Sequence, residues 1–321
     1  MATALLFDRD AVDEVEDWTS RLGRLGRSSI LWIDLERPDE TELQELAEEL
    51  ELSSESAERL ANGHDNPYFA DFESYLHVTV YAPLNEGGRH DLEPVECLVA
   101  KHWVVSVRQR PVSVLETFRE RAGGSGDTGR LEGPEFLANL LDWVLEGYLD
   151  AFEEVEVALE EIDSRAMEGR LNEPETELRR LVEIRQQIGR LRRALVSHRE
   201  MFLALTKPEL EAIASSKSAE RFAALRSRLE DVVQAARDSR ESVVGSFDVL
   251  IARTEQRTNE IMKVLTLASV LLLPGALIAG VMGMNFKVGF FEHAVYFWVV
   301  VGLIAVVAAA TLAVARARRW I

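Results

Sequence analysis

The sequence predicts an α+β cytoplasmic domain, a long stalk helix and two transmembrane helices, in that order. Three observations predict this arrangement. First, two runs near the C-terminus, 264–282 and 294–315, carry no Asp, Glu, Lys or Arg; about 20 apolar residues rising 1.5 Å each cross the hydrocarbon of a bilayer. Second, short β-rich segments separated by turn residues fill the N-terminal third. Third, apolar residues at three- and four-residue spacing run without a strong break from about residue 218 into the first apolar run. The chain divides accordingly into an α/β domain (1–130), a helical hairpin with the stalk helix (131–263), and a membrane part (264–321). The membrane part comprises a first span (264–282), an outer loop (283–293), a second span (294–315) and a basic tail (316–321).

In the first domain SSILWIDL (28–35) reads as a strand, as do YLHVTVYA (75–82), VECLVA (95–100) and WVVSVR (103–108). Pro83, Asn85, Gly87 and Gly88 mark the turn between the second and third of these. Asp39 with Glu42 has the spacing of a capping box and opens a helix through Leu50. GGSGDTG (123–129) reads as a loop. From Pro134 onward the pattern is helical, over 135–168 and 174–206. Seven acids lie between Asp150 and Asp163 with no base among them, while 174–206 carries Arg179, Arg180, Arg185, Arg190, Arg192, Arg193 and Arg199. These charges predict a complementary antiparallel hairpin. The third helical stretch has a coiled-coil-like seam of Phe222, Leu225, Leu229, Val232 and Ala236, then Val243, Phe247, Leu250 and Thr254. Gly245 is isolated and tolerable, so one helix from about 218 to Met282 is expected, about 100 Å long.

Composition excludes several function classes. A formal net charge of −19 argues against a nucleic-acid partner, which needs clustered Lys and Arg. Cys97 is the only cysteine, so neither an intrachain disulfide nor a Cys-based zinc site is expected. The N-terminal residues show no basic region before an apolar stretch, so no secretory signal is expected. The 123–129 loop lacks the Gly-Lys-Ser/Thr ending of a phosphate loop, which leaves ATP-driven pumping unsupported. His64, Asp65, His77, His90, Cys97 and His102 are scattered over strands and turns with no facing pair at ligand spacing. They read as packed or surface residues, and neither an enzyme nor a cofactor is expected.

Pro274 within the first span is tolerated in a membrane bundle. Phe290, Phe291, Tyr296, Phe297 and Trp298 sit where an interfacial aromatic belt is expected. Arg253, Arg257 and Lys263 precede the first span and Arg316, Arg318 and Arg319 follow the second, whereas the loop carries only Lys287, Glu292 and His293. The positive-inside rule puts both termini in the cytoplasm of a cell whose inner (plasma) membrane holds the protein. Two helices cannot enclose a pore, so a conducting protein of this kind must be an oligomer. A second register along the long helix collects Asp248, Ile251, Glu255, Asn259, Met262, Thr266, Ser269, Leu273, Ala276 and Gly280. Within the span this face is small or weakly polar. It suits either a pore lining or close helix packing in lipid.

The span ends in Gly283-Met284-Asn285. LTLASVLLLPGALIAGVMGMNF, preceded by RTEQRTNEIMKV, strongly resembles the CorA superfamily of divalent cation channels and transporters. The signature is the GMN tripeptide after a proline-containing first span, then a second span and a basic C-terminus. WIDL (32–35), NPYFADFESYLHVTVYAP (66–83) and the helical hairpin extend the match more weakly over essentially the whole chain. The resemblance implies a homopentameric funnel whose first spans line the pore, in contact with lipid and with divalent metal ions as cargo. Asn285 would ring the outer mouth and touch the hydrated ion. Met262, Leu265 and Leu273 would fall near hydrophobic constrictions, Asn259 and Asp248 at inner polar positions, and Arg316, Arg318 and Arg319 around the cytoplasmic exit.

The sequence departs from that pattern in four places. Met282 replaces the usual Tyr before GMN. FKVGFFEH replaces the common acidic loop, which brings Lys287 near a cation entrance with Glu292 to offset it. Ala224 stands where the inhibitory stalk aspartate is expected. The stalk resembles the zinc-transporting ZntB branch about as well. The expected cargo is therefore Mg2+ or a transition metal such as Zn2+, Co2+ or Ni2+, carried down its gradient or coupled to protons. The rival reading is a non-conducting membrane-anchored scaffold or sensor.

Overall fold

The computed structural model describes residues 2–8, 12–26, 29–63, 66–124, 132–169, 174–207, 216–284 and 294–317. The N-terminal elements are β1 (Ala2–Phe7), β2 (Val12–Glu14), α1 (Thr19–Leu22), β3 (Ile30–Glu36), α2 (Glu40–Glu49), α3 (Ser54–Asn62), β4 (Tyr68–Asp71), β5 (Leu76–Glu86), β6 (Arg89–Val99), β7 (Trp103–Arg108) and α4 (Ser113–Gly124). Long helices follow: α5 (Gly133–Met167), α6 (Pro174–Leu205), α7 (Ser216–Met282) and α8 (Ala294–Ala317). The chain forms two compact units. One comprises 1–164 with 175–247, the other 165–174 with 248–321. Helix α7 runs unbroken through Pro274.

The first unit is built on a seven-stranded sheet in the order β2-β1-β3-β7-β6-β5-β4. β3 and β7 are parallel and the other neighbours antiparallel. One face packs Leu31, Ile33, Leu35, Leu98, Val105 and Val107 against Leu46, Leu50, Leu60 and Tyr75. Alternate residues point the other way, where the Trp32 ring lies 5.4 Å from both Phe118 of α4 and Phe136 of α5. On that face Arg108, only 2% exposed, reaches Asp34 and Glu36 at 3.1 Å each. Burial raises the Asp34 carboxyl, and the Arg108 charge works against that rise.

The capping box forms as expected: Glu42 N–H donates to Asp39 at 2.8 Å, and Asp39 N–H to the Glu42 carboxylate at 3.0 Å. Pro83 does not break its strand. β5 continues through it, opposite Leu92, to Glu86, and Gly87 and Gly88 alone make the turn with φ of +62° and +84°, the two positive values that a tight hairpin turn needs. Of the loop expected at 123–129, Gly123 and Gly124 instead end α4, and 125–129 lies outside the described residues.

The charge-paired hairpin does not form as expected. Among the described residues, one ion pair joins the acids of 150–163 to the arginines of α6: Glu161 with Arg180, at 3.4 Å and on the surface. Exposed pairs contribute ~0–1 kcal/mol. Buried apolar stripes hold these helices instead, Val155, Leu159 and Ile162 on α5 and Leu181, Ile184, Ile188, Leu191 and Leu195 on α6. At ~1.5–3 kcal/mol per buried side chain, they outweigh the charges.

Candidate ion-conducting site

Helix α7 has two unlike faces within the apolar run. Leu267, Leu271, Pro274, Gly275, Ile278 and Met282 are partly shielded, and their spacing puts them on one side. This side meets α8: a Cβ on Gly275 would lie 3.2 Å from Ile304 Cγ2. Ser269, Leu273, Ala276 and Gly280 lie about half a turn away, as do Met262 and Leu265. All six are exposed in the single chain, Leu273 to 66%. Thr266 borders the two faces. It is exposed, yet with Leu267, Val270, Val307, Thr311 and Val314 it lines an apolar cleft of about 490 Å³. The candidate stripe is thus the side of α7 that α8 leaves open.

Below the apolar run, Asp248, Ile251, Glu255 and Asn259 are also exposed. The Ser269 hydroxyl donates to the Leu265 carbonyl at 2.9 Å, which leaves its oxygen lone pairs outward. The end of the helix tightens: Gly283 N–H donates to Ala279 O at 2.9 Å and Met284 N–H to Val281 O at 3.2 Å. Gly283 and Met284 are exposed. Arg316 is exposed in the last turn of α8. Asn285, Lys287, Phe290, Phe291, Glu292, His293, Arg318 and Arg319 lie outside the described residues. In both candidate spans the most apolar stretch is 0% buried, unlike the core helix of a soluble protein, so lipid or other copies must cover it.

The remaining sequence candidates fall into structural roles. His77 faces Glu96, a residue outside the set singled out from sequence, because β5 and β6 pair. His77 Nε2 lies 3.0 Å from Glu96 Oε2, and Nδ1 lies 2.9 Å from Ser56 Oγ. Ser, His and Glu in a row resemble a hydrolase triad, but Ser56 and His77 are 0% exposed. A nucleophile must be reachable, so this row ties α3 to the sheet. His90 is buried 3.5 Å from Glu154, and burial lowers its basicity. Cys97 is buried and its thiol is pushed up by desolvation, which makes it inert. His64 and Asp65 lie outside the described residues.

His198 carries a role the sequence did not signal. The β4–β5 ladder stops at Thr79, and Tyr81 lies two residues beyond it on β5. His198 Nε2 accepts the Tyr81 N–H at 2.9 Å, and the Tyr148 hydroxyl donates to the Tyr81 carbonyl at 2.8 Å. Helices α5 and α6 thus cap the sheet edge.

The family model described as CorA-like Mg2+ transporter protein matches residues 27–316. The chain belongs to this family. The cobalt/magnesium transport protein CorA of Thermotoga maritima is 22% identical over 302 residues, covering 92% of this chain and 84% of the relative. The complete structure of the CorA magnesium transporter from Methanocaldococcus jannaschii matches with a TM-score of 0.79 at 17% identity, over 100% of this chain and 99% of that one. The ZntB cytoplasmic domain from Vibrio parahaemolyticus matches with a TM-score of 0.54 at 14% identity, over 79% of this chain and 98% of that one. The α+β domain, the long helix and the two C-terminal apolar helices are therefore the CorA architecture. The CorA family is a family of transporters, and a scaffold reading has no support in it.

Proposed function

We propose that this CorA-family protein carries divalent metal cations, Mg2+ foremost, across the inner membrane through a homopentamer of α7 helices. The carrying observation is the open, small and weakly polar side of α7 opposite α8. Copies joined through that side surround a path lined by Thr266, Ser269, Leu273, Ala276 and Gly280, with Met262 and Leu265 as constrictions and Asp248, Ile251, Glu255 and Asn259 at its inner end. α8 then stands outside, toward lipid. Both termini and the soluble part are cytoplasmic, with the basic tail Arg316, Arg318 and Arg319 near the inner exit.

Chemistry supports the fit. Mg2+ dehydrates reluctantly and keeps its waters, and an amide oxygen such as that of Asn285 hydrogen-bonds those waters without a charge that traps the ion. The charge-free span then passes a hydrated ion. A second cargo reading, Zn2+, Co2+ or Ni2+ with proton coupling, is favoured by the fold shared with the ZntB domain. Ion flux into liposomes containing the purified protein, compared among Mg2+, Zn2+, Co2+ and Ni2+, separates the two. Asn285→Ala is expected to abolish divalent uptake with the oligomer intact; unchanged uptake removes the proposed mouth.

A further inference from the structure

Within a chain of net charge −19, one groove has the opposite sign. Arg185, Arg190, Arg192 and Arg193 of α6 and Arg240 of α7 line a cavity of about 640 Å³, inside the range of small-ligand sites. No acidic residue and no aromatic ring is among the described residues that line it. Among the described residues, none of Arg185, Arg192, Arg193 and Arg240 has an ion-pair or hydrogen-bond partner. Arg190 is exposed and donates to the His90 carbonyl at 3.3 Å. The acids of α5 are close in sequence and numerous, yet among the described residues only Glu161 pairs with an α6 arginine, and it does so outside the groove.

Gly189 sits amid these arginines. A Cβ added there would lie 3.6 Å from Arg193 Nη1, so the guanidinium folds over the bare backbone. Glycine inside a helix weakens it relative to alanine, and like charges repel along a helix face. In α6 both costs fall in this groove, at Gly189 and its flanking arginines.

We propose that the groove is a binding site for oligophosphate anions. Every cation in it is an arginine, and α6 contains no lysine. The planar guanidinium fork matches phosphate oxygens two at a time. Five such groups spread along a groove fit a chain of phosphates better than one. With no aromatic ring in the lining, nothing stacks a base, so the phosphate chain itself is recognised. The inference does not rest on the transport reading, because binding is measured without flux.

The test is calorimetric titration of the full-length protein in detergent, at ~0.1 M salt where charges beyond about 10 Å are screened. The titrants are inorganic tripolyphosphate, orthophosphate and ATP. Wild type is expected to bind tripolyphosphate saturably and more tightly than orthophosphate, with ATP matching tripolyphosphate. The double variant Arg192→Gln, Arg193→Gln should bind at least about tenfold more weakly, since each tenfold corresponds to only 1.4 kcal/mol. Gly189→Leu should also weaken binding, because it obstructs the groove without changing charge. Helix content by circular dichroism and elution volume confirm that the variants fold. Absence of saturable binding overturns the site, as does equal affinity in the double variant. If tripolyphosphate fails to bind and the double variant instead changes oligomeric state, the groove serves a second copy of the chain.

Discussion

His198 makes the soluble unit sensitive to acid, and the size of the effect follows from its surroundings. The ring is 1% exposed, packed near Tyr81, Tyr148 and Phe202. Burial lowers its pKa from 6.5 to about 4, with the Ala194 carbonyl working weakly against this. Nδ1–H donates to that carbonyl at 2.6 Å and Nε2 accepts from Tyr81, so a second proton on Nε2 would face an N–H donor. The unfolded chain protonates His198 below about 6.5, and the folded chain only near 4. Stability from this group is therefore complete above pH 6.5 and is lost as pH falls from 6.5 toward 4. Across that window the loss is about 3 kcal/mol. Asp34, whose pKa is raised by burial, acts in the opposite sense, so only a difference between variants isolates His198. His198→Gln keeps an acceptor for Tyr81 and removes the proton site. The assay is hydrogen exchange at β5 and α6 of the full chain in detergent, corrected for the intrinsic pH dependence of exchange. Wild type should lose protection between pH 6.5 and 4.5 and His198→Gln should lose much less. Parallel pH profiles in the two proteins would refute the assignment.

Removing Arg108 should be the most damaging single change in the sheet: Arg108→Met strands Asp34 without its partner and should cost about 3–5 kcal/mol. The double variant Arg108→Met, Asp34→Asn should recover most of that in a denaturant titration. With no phosphate loop to drive pumping, inward flux should follow the membrane potential, about 4.6 kcal/mol per 100 mV for a divalent ion. An ionophore that collapses the potential should slow uptake, and slowing only on collapse of a pH gradient would mark a proton-coupled carrier. High internal Mg2+ should neither close this protein nor protect its long helix from protease. Ala224 offers no oxygen ligand on its exposed position, Arg228 already pairs with Asp142 and Glu146, and Glu230 is held by Arg199 at 2.9 Å. Strong protection at ~20 mM Mg2+, above the ~10⁻⁴–10⁻³ M range of weak carboxylate sites, would contradict this.

What could be read from sequence alone was set locally. The apolar runs, the Asp39 capping box and the unbroken spacing of α7 depend on residues within a turn or a span of one another. They appear in the structure at α2, α7 and α8 within a few residues of their expected limits. The GMN signature belongs to the same local kind of information. The edge strands β2 and β4 have three and four residues, too few for a period-2 pattern to stand out, and β1, ATALLF, is apolar almost throughout and shows no alternation. Tertiary structure decided everything that depends on distant partners. The parallel β3–β7 pair joins residues some 70 positions apart, and a strand pattern does not name its neighbour. Pairing of β5 with β6 brought His77 to Glu96, and the early end of β4 gave His198 its edge to cap. The position of α8 decided which side of α7 stays open. Apolar burial, not charge, decided how α5 and α6 are held, and it left the arginines of α6 unneutralised in their groove. The physical reason is the same throughout: the period of a segment says which residues share a face, and only the packed chain says what that face meets.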